Sequence, residues 1–366
     1  MSLHRDPLHM QIARVLRSEI SRNYEIGARF PSQNELAKRF NVSPPTAREA
    51  VGLLVQDGLL ERRFGSGTYV TEKKTEQWIG IVIELDISDR DTSYFFLRTV
   101  QVLRTFFAEH ELPARLYPGH SRTNDREPPP LPTCEEFFSD LDAGRLTGML
   151  TLSYAWSTPF QALVDTYALP CVGETGRTGG PDLDHAGLLQ QAAAYCAAHG
   201  ARRVAVIRHG QDKGGSGPIG HSGIRRCLAE AGLTCRDDWN IGVWPESDVP
   251  DAVSAFRRIW QEPVDRPDAL IVLDDALYAQ IAPILLYNRI SIPDDLLVLA
   301  HGNVGDSRVV HPEPVRLLFD PDEFAVALGH CMLTRLHDPQ APLQRRLIHA
   351  TLQEPATVAE TLLEMT

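Results

Sequence analysis

The sequence predicts an α/β chain in two parts: a small helical head closed by a β-hairpin, and a larger body in which parallel sheets are layered with helices. Three observations carry this. Leu8, Ile12, Leu16 and Ile20 recur every four residues, the spacing of an amphipathic helix. Ser32 and Ser43 each precede a stretch with helix-start chemistry. From Trp78 onward, continuous apolar runs such as Ile79-Gly80-Ile81-Val82-Ile83 alternate with helical stretches, which is how buried parallel strands and their crossover helices read.

At 366 residues the chain exceeds the roughly 100–200 residues of one domain, so two or three packing units are expected. Hydrophobic residues make up 43% and charged residues 23%, ordinary globular usage that allows a real core. Residues 1–6 lack the apolar segment of a secretion signal, and no apolar run approaches the ~20 residues of a membrane span. The chain is therefore expected to stay in the cytosol. The six cysteines, at 134, 171, 196, 227, 235 and 331, form no C-x-x-C pair, so reduced thiols are expected rather than a metal site or a disulfide frame.

The net charge of −12 is unevenly spread. Residues 1–72 hold ten Lys/Arg against eight Asp/Glu, a surplus of two basic groups, and the remainder carries −14. A mildly basic head on an acidic body suits a DNA reader, because phosphate contacts dominate non-specific affinity while the body is repelled from the duplex.

Within the head, the first helix runs from Leu8 to about Asn23. Pro31-Ser32-Gln33-Asn34-Glu35-Leu36 reads as a capping box, Ser32 accepting from the Glu35 amide and the Glu35 carboxylate reaching back, and starts a second helix that ends at Phe40. After Asn41-Val42, Ser43 reads as another N-cap, with Pro44 and Pro45 in a first turn that needs no amide donor. The third helix carries Thr46, Arg48, Ala50, Val51 and Leu54, and Gly58 ends it. Leu59 to Arg63 and Thr68 to Thr71 form strands around the tip Phe64-Gly65-Ser66-Gly67. Three helices and a hairpin make a winged helix-turn-helix, although two capped helices with a short turn also occur in units that never meet DNA.

The stretch from Leu8 to Val70 resembles the DNA-binding domain of the GntR family of bacterial regulators. The resemblance rests on Gln11-Ile12, Gly27-x-x-Phe30-Pro31-Ser32, Glu35-Leu36-Ala37, Phe40-x-Val42-Ser43, Thr46-x-Arg48-x-Ala50, Gly58-Leu59-Leu60 and Gly65-Ser66-Gly67-Thr68-Tyr69-Val70. It implies that the third helix enters the major groove and that the wing tip, Gly65, Ser66 and Gly67, reaches the minor groove. It also implies that the start of the second helix, Ser32, Gln33 and Asn34, touches phosphate. Arg48 matches a family arginine and is assigned to a guanine edge or a phosphate. Ser32, Ser43 and Thr46 have two roles open, as caps or packing groups and as phosphate donors. Arg62 and Arg63 are phosphate contacts or solvent-facing strand charges. Asn34 stands where the family usually has arginine, and Pro44-Pro45 replaces a pair that commonly includes another, so no operator sequence can be borrowed from relatives.

Residues 73–77 read as a linker, and the body extends from 78 to 366. Strands are expected at 79–83, 115–117, 148–152, 171–173, 203–207, 241–244, 269–273 and 296–300, with helices at about 94–110, 188–199, 223–231, 252–260 and 277–288. This body resembles the two-lobed, periplasmic-binding-protein-like sensor domain of LacI-type repressors. The words that carry the likeness are Ile79–Ile83, Leu169-Pro170-Cys171-Val172, Gly200–Ile207, Gly223–Leu233, Pro267–Asp275 and Ile292–Leu296, in that order.

The resemblance implies a ligand cleft at the C-terminal ends of the strands, a small-molecule effector of sugar type, and pairing of two subunits. Asp275 matches a position whose carboxylate accepts from sugar hydroxyls, with capping of the helix starting at Leu277 as the competing role. Trp244 matches an aromatic platform. Tyr94 and Phe95 follow the first strand and are placed to stack on a ligand or to pack the core. Trp156 follows another strand and is placed to line the same cleft. His301 and Asn303 follow the strand ending at Ala300, where the family places polar contacts. A family arginine is replaced here by Gly220, beside His221, which removes an expected clamp on the sugar.

Enzymatic alternatives are disfavoured. A pyridoxal-phosphate body needs a lysine for its Schiff base, and past Lys73 and Lys74 only Lys213 exists. That residue sits in the glycine-rich run 210–217, which lacks the Gly-Lys-Ser/Thr order of a phosphate loop. No cofactor and no metal are expected.

Overall fold

A computed structural model describes residues 7–71, 76–88, 92–121, 129–153, 157–173, 179–210, 219–243, 249, 251–261, 265–308 and 310–355. In the head, α1 (Leu8–Asn23) turns Ile12, Ala13, Leu16 and Ile20 inward, as its four-residue spacing requires. The strand β1 (Arg29–Phe30) is followed by α2 (Gln33–Phe40) and α3 (Pro44–Gln56). Both halves of the capping box at Ser32 form, and Ser43 caps α3 with its prolines in the first turn. The hairpin β2 (Leu60–Arg63) and β3 (Gly67–Val70) completes the head, in the antiparallel order β1-β3-β2. The pairing of β1 with β3 is an addition to the sequence reading, since two residues are too few to show a period.

In the body, β4 (Trp78–Leu85), α4 (Tyr94–Glu109), β5 (Ala114–Ser121), α5 (Glu135–Asp142), β6 (Leu146–Leu152), α6 (Thr158–Tyr167) and β7 (Cys171–Gly173) build a parallel sheet of order β5-β4-β6-β7. There follow β8 (Pro181–Leu183), α7 (His185–Ala198), β9 (Val204–His209), α8 (His221–Glu230), β10 (Asn240–Val243), α9 (Ala252–Trp260), β11 (Ala269–Val272), α10 (Asp275–Tyr287), β12 (Leu297–Asn303) and β13 (Val315–Phe319). The chain closes with α11 (Pro321–His337), β14 (Arg346–Ile348) and β15 (Thr351–Gln353). The second sheet has the order β10-β9-β11-β12-β13-β15, parallel except for the last pair.

Burial on both faces explains why the strands read as unbroken apolar runs. Val204 and Val206 of β9 join one core, and Ala205 and Ile207 join the other; Ala269 and Ile271 of β11 likewise oppose Leu270 and Val272. The chain passes between the sheets three times, through β8 into α7, from β13 into α11, and back through β14, which pairs with β8. The sequence reading stopped at Ala300 and passed over α5, α6 and everything from β13 onward. For α11 the reason is physical: Phe324, Ala325, Ala327, Leu328 and Met332 are all buried, a wide apolar arc with little helical period to read.

The head rests on the first sheet's layer through α1. Arg14 Nε lies 3.1 Å from Asp142 Oδ1, and Arg17 Nη1 donates to the Asp142 carbonyl at 2.6 Å while its other nitrogen pairs with Asp57 at the end of α3.

Candidate functional site

Two sites emerge. On the head, the start of α2, α3 and the wing surround one recess lined by Arg29, Ser32, Gln33, Asn34, Arg48 and Gly67, among others. Arg48 is exposed on α3, and its Nε donates to Gln33 Oε1 at 3.2 Å, which aims the guanidinium along the start of α2. Ser32 Oγ accepts from the Glu35 amide at 3.3 Å and Ser43 Oγ from the Thr46 amide at 3.4 Å, so both serines cap, while the Thr46 hydroxyl lies 2.8 Å from Ser43 Oγ. All but the half-buried Thr46 remain exposed.

The wing tip turns on Gly65 (φ +71°) and Gly67 (φ +129°), where a side chain would be strained. Ser66 Oγ lies 2.7 Å from the Tyr69 hydroxyl. Arg62 is exposed, whereas Arg63 is tied to Glu61 at 2.6 Å and lies over the Tyr69 ring at 4.5 Å. Arg29 was missed in the sequence reading; its Nε lies 3.3 Å from where a Gly67 Cβ would stand. Only the β1–β3 pairing puts it beside the wing.

The second site lies where both sheets present the C-terminal ends of their strands. At the second sheet's order reversal, between β9 and β11, His209 Nε2 lies 3.2 Å from Asp274 Oδ1. Asp274 is the α10 N-cap, accepting from the Leu277 amide at 2.9 Å. The capping role weighed for Asp275 therefore falls to its neighbour. Burial opposes charge on His209, yet the Asp274 partner outweighs it and raises the imidazole. Burial likewise opposes charge on Asp274, but His209, His301 and the Leu277 amide hold that carboxyl low.

Asp275 is thus released to the cleft. Its Oδ2 accepts from Arg308 Nη2 at 2.8 Å, Asn303 Nδ2 at 3.2 Å and Ser93 Oγ at 3.3 Å, the last from the first sheet's side. Burial and the adjacent Asp274 charge push the Asp275 carboxyl up. With His301, Asn303, Asp306 and Arg308, Asp275 lines a cavity of about 320 Å³. Tyr94 is not among the residues lining this cavity; its hydroxyl lies 3.2 Å from where a Cβ on Gly305, one position before Asp306, would stand.

Other expected residues are placed differently. Phe95 is 4% exposed and packs against Phe96 and Phe324, with ring centroids 5.6 and 5.1 Å apart, so it belongs to the core and not to the ligand surface. On a helix that buries this face, an aromatic one position past the first is drawn inward. His221 opens α8 and does not line this cavity; its carbonyl accepts from Asn240. Trp156 and Trp244 lie outside the described residues, as does Lys213. Ser93, Asp306, Arg308 and the His209–Asp274 pair were missed, because each becomes meaningful only through partners on other segments.

Comparison with known proteins fits this geometry. Residues 8–70 match the family described as bacterial regulatory proteins, gntR family, and residues 193–358 match the periplasmic binding protein-like domain. The HTH-type transcriptional regulator YurK of Bacillus subtilis (strain 168) is 36% identical over 72 residues, 19% of this chain and 30% of that protein. The HTH-type transcriptional repressor NagR of the same organism is 40% identical over 73 residues, again 19% and 30%. The chain thus spans less than a third of the length of either relative. Among solved structures, the complex of the transcriptional regulator CelR with cellobiose superposes with a TM-score of 0.63 at 17% identity, over 96% of this chain and 99% of that one. The body therefore has a periplasmic-binding-protein-like fold, and the pyridoxal-phosphate alternative finds no support. The chain joins a gntR-family helix-turn-helix domain to a periplasmic-binding-protein-like domain with the fold of LacI-type regulators.

Proposed function

We propose that this chain is a sequence-specific DNA-binding transcription regulator, a repressor whose operator affinity is set by a sugar-like small molecule held between the two sheets. On this reading residues 1–72 bind DNA, 73–77 link, and 78–366 bind the effector. The observation that carries it is the gntR-family match over residues 8–70, on a surface where Arg48, Ser32, Ser43 and the wing tip are exposed together. Repressors among the relatives and the cellobiose complex of CelR support the effector half. The protein acts in the cytosol as a homodimer, its two α3 helices meeting half-sites about 34–36 Å apart or at a longer spacing. Effector closes the cleft and releases DNA only to the extent that it prefers one of the two states.

The test is fluorescence anisotropy on fragments upstream of the protein's own gene and its neighbours, across a salt series. Tight binding with a steep salt slope is expected. Arg48→Ala should weaken it by about 1–3 kcal/mol if the residue reads a base, or lower the salt slope by about one if it neutralises a phosphate. Wild-type affinity and slope for the variant refute the assignment. No salt-sensitive binding to any fragment, with or without ligand, refutes the regulator reading.

A further inference from the structure

The cleft around Asp275 has an unbalanced charge among the described residues. Asp275 and Asp306, with side chains 10% and 12% exposed, share one cation, the Arg308 guanidinium, which is 49% exposed. Both Asp306 oxygens take Arg308, at 2.9 Å from Nε and 2.6 Å from Nη2. Apart from His301, the remaining ionisable groups that line the cavity cancel, since Arg316 pairs with Glu313 at 3.0 Å. Just behind it, Asp274 pairs with His209. With Asp275 ionised, and His301 aside, the subsite is left with one negative charge among side chains that are nearly buried, where an uncompensated carboxylate is costly.

Unused hydrogen-bonding atoms point the same way. Asp275 Oδ1, Asn303 Oδ1 and, in the same cavity, His301 Nε2 are buried without a partner, Asn303 being 2% exposed. The two oxygens are acceptors only, that of Asp275 as long as its carboxyl is ionised. Asn303 spends its donor on Asp275 Oδ2, so the two orphaned oxygens sit on adjacent, mutually bonded side chains. Two acceptors and a missing positive charge call for a cationic donor.

We infer that the small molecule bound in this cleft carries a protonated amine, as an amino sugar does, and that Arg308 is the internal cation it displaces from Asp275. This rests on the effector-binding reading above. An ammonium offers three donors, enough for Asp275, Asn303 and a further acceptor. The exposed Arg308 head can move to water and keep Asp306. Arg308 is then a competitor of the ligand and not its clamp.

Calorimetric titration of the full chain decides this, with D-glucosamine, D-galactosamine and D-mannosamine, their parent hexoses, and the corresponding 6-phosphates. At least one amine should bind about tenfold or more tighter than its parent hexose. Arg308→Gln should tighten amine binding by removing the competitor, and Asp306→Asn should shrink the preference for amine over hexose. Circular dichroism checks that both variants fold. Preferential binding of a member that lacks the amine, whether hexose or hexose 6-phosphate, binding by no amine, or loss of amine affinity in Arg308→Gln overturns the inference. In the first case the regulator reading stands, because a ligand still occupies the cleft; only failure of salt-sensitive DNA binding removes that reading.

Discussion

Replacing Asp140 with alanine removes a hub at the end of the first sheet that faces the head. Asp140 lies on α5 with a side chain 4% exposed. It accepts from Arg115 at 2.6 Å, Tyr117 at 2.8 Å and Arg145 at 2.9 Å. The two guanidiniums flank the Trp78 ring at 5.3 and 5.8 Å, and Trp78 Nε1 donates to the Tyr117 hydroxyl at 2.6 Å. The arginines are 45% and 43% exposed, so each can rehydrate, and losing them costs only about 0.2–1 kcal/mol apiece. Tyr117 is fully buried; its O–H donor, left without an acceptor, costs about 1–3 kcal/mol. The expected loss is therefore about 2–4 kcal/mol, dominated by one hydroxyl.

Urea unfolding followed by tryptophan fluorescence measures this, since Trp78 sits at the hub. The transition that reports Trp78 is the one to compare, because a chain of several units need not unfold in one step. Adding Tyr117→Phe to Asp140→Ala should restore about 1–2 kcal/mol, since it deletes the orphaned donor. A loss below about 1 kcal/mol for Asp140→Ala, or no recovery in the double variant, would show that the hydroxyl is not what the carboxylate serves.

Three further outcomes are expected. In Gly329→Ala, the new Cβ would stand 2.5 Å from Phe106 Cε1 where α11 meets α4, costing about 1–3 kcal/mol by overpacking; thermal unfolding reads it, and Phe106→Leu should relieve it. Asp274→Asn keeps the α10 cap but loses the His209 pair. His209 is raised on folding, so its contribution is complete below its unfolded pKa of about 6.5 and fades as pH climbs through the higher folded value. Asp274 is lowered, so its share is present above about pH 4 and fades below. The stability gap between wild type and variant should peak between those limits, and a gap independent of pH contradicts the pairing. Arg29→Gln should weaken DNA binding evenly across sequences and cut the salt slope by about one, as a phosphate contact does; unchanged anisotropy titrations dismiss it.

The head was nearly complete in the sequence, because its signals are local. A cap satisfies amides two or three residues away, and a wing tip needs glycine at its own positive φ, so Ser32, Ser43, Gly65 and Gly67 announce themselves. The strand cores were also readable, since burial on both faces demands unbroken apolar runs such as Val204–Ile207. Asp275 could be marked as following its strand for the same reason, whereas His301 and Asn303, expected after a strand ending at Ala300, lie within the last three residues of β12.

What they do there was decided by tertiary structure. The α10 cap went to Asp274 and freed Asp275, while Phe95 was drawn into the core by Phe324 from the far end of the chain. Arg308 acquired meaning only by reaching a carboxylate 33 positions away. The charge imbalance of the cleft belongs to no single segment. Periodicity and capping act over one or two turns and can be read along the chain, whereas desolvation, shared counter-ions and orphaned acceptors depend on which distant groups fold together to exclude water.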